Sequence, residues 1–197
     1  MTRALVVIDM QKGFDDLEFW GATANPQCEQ NVAALLRYAE LEGIPVVVVR
    51  HDSRSETSVL HPSAAGNALV DVVDRAPAAL LITKSVNSAF YGDPDLHAWL
   101  QEREIGELLI CGIQTNMCVE TTARMAGNLG YDTTVVWDAT RTFDLDAEIS
   151  GMGRVTRTAA EIMATTALVL QEGGFARIRT TAEIVGSGRR VHDRSLT

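Results

Sequence analysis

Apolar and polar positions follow two rhythms along this chain. Short unbroken apolar runs, among them Ala4-Leu5-Val6-Val7-Ile8 and Ala79-Leu80-Leu81-Ile82-Thr83, read as strands buried on both faces. Between such runs lie amphipathic stretches with helical spacing. The pattern predicts strands near residues 3–9, 44–50, 79–84, 106–112, 132–137 and 175–180. It predicts helices near 26–42, 64–74, 94–103, 116–130 and 146–170. Gly43, Gly106 and Gly130 stand where helices pass into strands, as helix C-caps do. Such alternation implies the α/β class, a parallel sheet covered by helices on both faces. Residues 52–63 are polar and turn-rich, which suits a long loop over the strand ends. Residues 186–197 read as a mobile tail after one domain spanning 1–185.

Three chemically active residues mark the ends of this framework. Asp9 and Lys84 each close an apolar run. Cys118 follows the run Leu108-Leu109-Ile110 and the turn around Gly112, where a helix is expected to begin. With Thr115 as N-cap, Cys118 is the third helical residue, and the helix dipole favours its thiolate. Each residue alone has a structural reading: an ion pair at the sheet edge for Asp9 or Lys84, an inert buried thiol for Cys118. An acid, an amine and a thiol at strand carboxyl ends together point to nucleophilic catalysis, because ligands bind along that edge of a parallel sheet.

Val7-Ile8-Asp9-Met10-Gln11, Lys84 followed by Ser88-Ala89-Phe90, and Gly112-Ile113-Gln114-Thr115-Asn116-Met117-Cys118-Val119 resemble the isochorismatase-like cysteine hydrolases over about residues 3–185. The resemblance implies a three-layer α/β/α domain with a six-stranded parallel sheet in the order 3-2-1-4-5-6. It also implies a catalytic triad of Asp9, Lys84 and Cys118, and a cis peptide at Ile113–Gln114. An oxyanion site would be built from the backbone N–H groups of Gln114 and Cys118. True isochorismatases cleave a vinyl ether and lack the cysteine, so Cys118 favours the amidase branch: hydrolysis of a small or cyclic amide through a thioester. A vinyl-ether hydrolase and a catalytically idle binding subunit are the alternatives.

Nicotinamidases of this family bind a metal through an Asp-x-His pair and a further histidine. Here Val49 stands two positions before His51, where the carboxylate belongs. A site from His51, Asp52 and His61 is conceivable, but neighbours on an extended strand point apart. The expectation is no metal and no cofactor, with His51 lining the substrate pocket. Phe14, Trp20, Tyr91 and Phe143 sit in loops on the same edge and suit an aromatic wall for a flat amide. Phe19 and Phe90 are expected to pack beneath the loops, Trp99, Trp137 and Cys111 in the core, and Cys28 on a helix surface.

Composition narrows the class further. Of 197 residues 46% are hydrophobic, enough for one full core, and the net charge is −9. No basic stripe exists to meet nucleic acid or an anionic membrane. Three cysteines without framework spacing, one of them reactive, suit a reducing compartment, and no run is long enough for a membrane span. The expected setting is the cytoplasm. The expected partners are a small amide substrate and further copies of the chain, in a dimer or tetramer. Within residues 141–168, Ile149, Met152, Val155, Ile162 and Met163 exceed what one helix face needs against the sheet.

Overall fold

The computed structural model describes residues 2–192. Its strands are β1 (Thr2–Ile8), β2 (Val46–His51), β3 (Ala78–Lys84), β4 (Ile105–Ile113), β5 (Asp132–Arg141), β6 (Leu145–Ile149), β7 (Gly153–Arg157) and β8 (Arg177–Arg179). Its α-helices are α1 (Leu17–Trp20), α2 (Cys28–Glu42), α3 (Asp71–Asp74), α4 (Leu96–Glu102), α5 (Glu120–Asn128), α6 (Ala159–Glu172) and α7 (Thr181–His192). Six strands form one sheet, all paired in parallel, in the order β3-β2-β1-β4-β5-β8. This is the expected order, with β8 as its sixth member.

Strand pleating divides the core in two. Leu5 and Val7 of β1 face α2, α3 and α7, where they meet Val32, Leu35, Val73 and Ile184. Ala4, Val6 and Ile8 face the opposite layer, where Leu96 and Leu100 of α4, Ala123 of α5 and Leu170 of α6 close over them. Burial on both faces explains the continuous apolar run. β1 and β4 approach so closely at the sheet's carboxyl end that a Cβ on Gly112 would lie 1.9 Å from the Ile8 carbonyl oxygen. Gly112 also has φ of 121°, so no other residue fits there.

Several expectations are corrected. Residues 146–170 are not one helix. β6 and β7 form an antiparallel hairpin in which Ala147 lies opposite Val155. Leu145-Asp146-Ala147-Glu148-Ile149 alternates with period two, and Gly151 and Gly153 adopt positive φ in the turn. α6 begins only after Thr158, whose hydroxyl accepts from the Glu161 N–H while the Glu161 carboxylate accepts from the Thr158 N–H. The helix expected over 64–74 is a 3-10 turn at Ala65–Asn67 and the four-residue α3. β3 is an edge strand, with Leu81 exposed, rather than buried on both faces. Cys28 is buried, Phe19 is exposed and Trp137 only half-buried, the reverse of their expected places. α7 extends to His192, across the boundary expected at 185; the remainder of the expected tail, residues 193–197, lies outside the described residues.

Candidate active site

The sheet's carboxyl edge assembles the site. Ile8 pairs with Val49 of β2 and with Gly112 of β4, so Asp9 emerges between the ends of those strands. Asp9 itself adopts φ of 50°, a left-handed conformation rare for a non-glycine residue. Beyond Ile113, whose peptide bond to Gln114 is cis, the chain enters a single π-helical turn, Thr115–Val119. This turn, continuous with α5, carries Cys118. Thr115 is therefore not the cap: Gln114 precedes the turn, and the Thr115 hydroxyl donates instead to Oγ1 of Thr140 on β5.

Lys84 closes β3, two strands away from Asp9. Neighbouring strands are roughly 4.8 Å apart, so only a long side chain bridges that interval. Lys84 crosses the end of β2, where His51 is its register partner. Its Nζ lies 2.6 Å from Asp9 Oδ2, 3.3 Å from Cys118 Sγ and 3.2 Å from His51 Nδ1. An ammonium has three protons to donate, and three acceptors surround this one. If His51 accepts at Nδ1, its own proton sits on Nε2. Burial, then the Lys84 charge, lowers the His51 pKa below 6.5, which keeps the ring neutral.

Asp9 and Lys84 are buried, whereas Cys118 keeps 7% of its surface exposed. Cys118 is thus the most exposed of the three, though still buried. Burial outweighs Lys84 and raises the Asp9 pKa above its ordinary 3.8. Burial, then the Asp9 charge, pushes the Cys118 thiol up to about 12 against the opposing pull of Lys84. Burial thus works against the ready ionisation that the helix start alone suggests. Asp9 also interacts with the Cys118 thiol, and among the described residues its buried Oδ1 makes no close hydrogen bond, leaving a carboxylate lone pair free to take a proton.

The conceivable His51/Asp52/His61 cluster does not form. Asp52 binds Arg50 and Asn67, while His61 Nδ1 pairs with Ser63. Potential ligand atoms of Asp9, His51 and Cys118 do lie within 4.8 Å of one another. The Lys84 ammonium stands among them and already binds all three, so this set does not fit a divalent cation: the fixed charge of Lys84 would oppose it.

Phe14, Trp20 and Phe143 form one stack, with ring centroids 4.9–6.1 Å apart. Phe14 and Phe143 are buried, and the half-buried Trp20 donates from Nε1 to the Gly13 carbonyl. Tyr91 stands apart from this stack and is exposed. Gln11 and Asn67 were not singled out by sequence reasoning. The Gln11 amide donates to the carbonyls of His51 and Asn67 and accepts from the His51 N–H, tying the ends of β1 and β2 together. Asn67 donates to Asp52 and to the carbonyls of His51 and Leu60, securing the loop after β2. A carboxamide two residues after Asp9 was the available signal for the first of these.

Comparison with known proteins places these residues in context. A family model described as the isochorismatase domain matches residues 3–167. An isochorismatase family protein of Bacillus subtilis (strain 168), YrdC, is 34% identical over 190 residues, 96% of this chain and 98% of its own. Streptothricin hydrolase of Streptomyces noursei is 32% identical over 148 residues, which are 74% of this chain and 51% of the relative. A crystal structure of an isochorismatase-family hydrolase from Chromobacterium violaceum superposes with a TM-score of 0.84 at 35% identity. That match covers 94% of this chain and 92% of the other.

Proposed function

The chain belongs to the isochorismatase family, and from that premise we propose that it is a cysteine hydrolase cleaving the C–N bond of a small or cyclic amide. The observation that carries this reading is the buried ammonium of Lys84, in contact with the Asp9 carboxylate and the Cys118 sulfur at once. The hydrolase relatives support the reaction class, and streptothricin hydrolase favours the amide branch.

In the proposed mechanism, Cys118 attacks the amide carbon as its thiol proton passes to Asp9. The raised pKa of Asp9 makes it a better proton acceptor than an ordinary carboxylate. Lys84 stabilises the negative charge that moves from oxygen to sulfur and back. The tetrahedral oxyanion is held by the backbone N–H groups of Gln114 and Cys118. Asp9 returns the proton to the departing nitrogen as the C–N bond breaks, leaving an acyl-thioester. Asp9 then takes a proton from water, hydroxide displaces the thiolate, and Cys118 regains its proton. The neutral His51 ring keeps the third Lys84 proton engaged and directs an Nε2–H donor at the substrate. Phe14, Trp20 and Phe143 back the pocket wall.

A screen of purified protein against primary amides, lactams and carbamoyl compounds, read by released ammonia or amine, tests the reaction class. Mass spectrometry after rapid quenching should detect the acyl group on Cys118. Turnover of an amide by a Cys118→Ala variant at the wild-type rate would end the covalent reading.

A further inference from the structure

A hollow of about 430 Å³ lies between the loop after β2, the loop after β3 and the start of α5, lined by Arg54, Ser85, Val86, Asn87, Ser88, Tyr91 and Thr121. Two of its lining residues are close in sequence to the catalytic ones. Ser85 directly follows Lys84, and Thr121 stands three positions after Cys118. The buried Thr122 hydroxyl accepts from the Ala89 N–H at 3.0 Å, fixing the loop to α5 beneath the hollow.

No acidic residue lines this space, although the chain carries a net charge of −9. Arg54 Nε donates to Ser85 Oγ at 3.0 Å, which fixes the guanidinium over the hollow. Among the described residues Arg54 has no carboxylate partner, whereas neighbouring Arg50 is paired with Asp52. Its two Nη atoms remain for an incoming oxyanion, and a guanidinium fork suits a planar carboxylate. Asn87, Tyr91 and Thr121 offer further donors, since their side chains form no hydrogen bond with the described residues.

We propose that the Arg54 hollow is a subsite for an anionic substituent, and that the preferred substrate is an amide bearing a carboxylate away from the scissile bond. The assignment of the anion to a substrate rests on the amidase reading above. Binding of an anion by the hollow does not. A carboxylate held there adds affinity without entering the bond-breaking step, so it lowers KM and leaves kcat unchanged.

Two measurements on the intact protein separate the two ideas. Hydrolysis of succinamate is compared with that of succinamide, which has nearly the same shape and no charge. Calorimetric titration with succinate reports binding independently of turnover. Wild-type protein should favour succinamate. Arg54→Met should raise its KM about tenfold at unchanged kcat, leave succinamide unaffected and weaken succinate binding similarly. Arg54→Lys, which keeps the charge without the fork, should fall between. Turnover of both amides with equal KM, unmoved by Arg54→Met, would overturn the subsite and leave the amidase reading intact. Succinate binding that depends on Arg54, with neither amide hydrolysed, would support the anion site and count against the amidase reading for these substrates. Absence of both turnover and succinate binding would overturn the subsite.

Discussion

Lys84 Nζ and Asp9 Oδ2 lie 2.6 Å apart with both side chains fully shielded from solvent. A buried ion pair is costly to assemble and more costly to break, because removing one partner strands the other charge. Lys84→Met should therefore destabilise the fold by about 3–5 kcal/mol, and adding Asp9→Asn should recover much of that loss. Denaturant titration of the two variants measures it. In the proposed reaction, Asp9→Asn, Lys84→Met and Cys118→Ala each abolish turnover. Combining Asp9→Asn with Cys118→Ala should do no further harm, since residues acting as a unit lose function non-additively.

The raised pKa of Asp9 sets a direction for the pH profile. Asp9 accepts a proton only when ionised, so activity falls as pH drops through its pKa. The acid limb of kcat/KM should then have its midpoint above 3.8, the ordinary value for this side chain. The thiol, held up near 12, predicts the opposite of a hyper-reactive cysteine. Alkylation of Cys118 by iodoacetamide should be slow at pH 7 and still rising with pH at about 9, where a free cysteine is already largely ionised. A plateau near neutrality would show that Lys84 outweighs burial.

Because the Lys84 ammonium fills the centre of the Asp9, His51 and Cys118 cluster, turnover should survive exhaustive chelation. His51→Gln should preserve this insensitivity and lower turnover by about tenfold or more, through loss of a donor at the substrate and looser placement of Lys84. The acid limb should remain in this variant, because Asp9 and not His51 sets it. Activity lost to chelator and restored by zinc or iron would reverse this assignment and make His51 a ligand.

We propose that a second copy of the chain covers the β6–β7 hairpin. Two isolated strands are marginal in water, and Leu145, Ile149 and Met152 on this hairpin are exposed. Ile162 and Met163, which the sequence grouped with them, pack inward from α6. Sedimentation at micromolar concentration should show a dimer or larger species, and Ile149→Asp with Met152→Asp should shift it towards monomer. A clean monomer for the unaltered chain would refute this.

Asp9, Lys84 and Cys118 were legible in the sequence because each ends a recognisable local element, and an apolar run names its own terminus. The strand order entered through family resemblance, since pairing between distant runs leaves no mark on local periodicity. The β6–β7 hairpin was missed: the alternation after Leu145 and the glycines at 151 and 153 were its signal, but the apolar positions beyond it also fit a helical rhythm, and the whole stretch read as one helix. Tertiary structure alone decided three things. β2 lies between β1 and β3, so the Lys84 side chain must pass His51, a contact no spacing encodes. Phe143 lies more than a hundred residues along the chain from Phe14 and Trp20, and only chain folding stacks the three. The pull on the thiol's ionisation has the same origin: the start of a helix is a local feature that favours a thiolate, whereas the burial that raises its pKa is imposed by the layers packed around it.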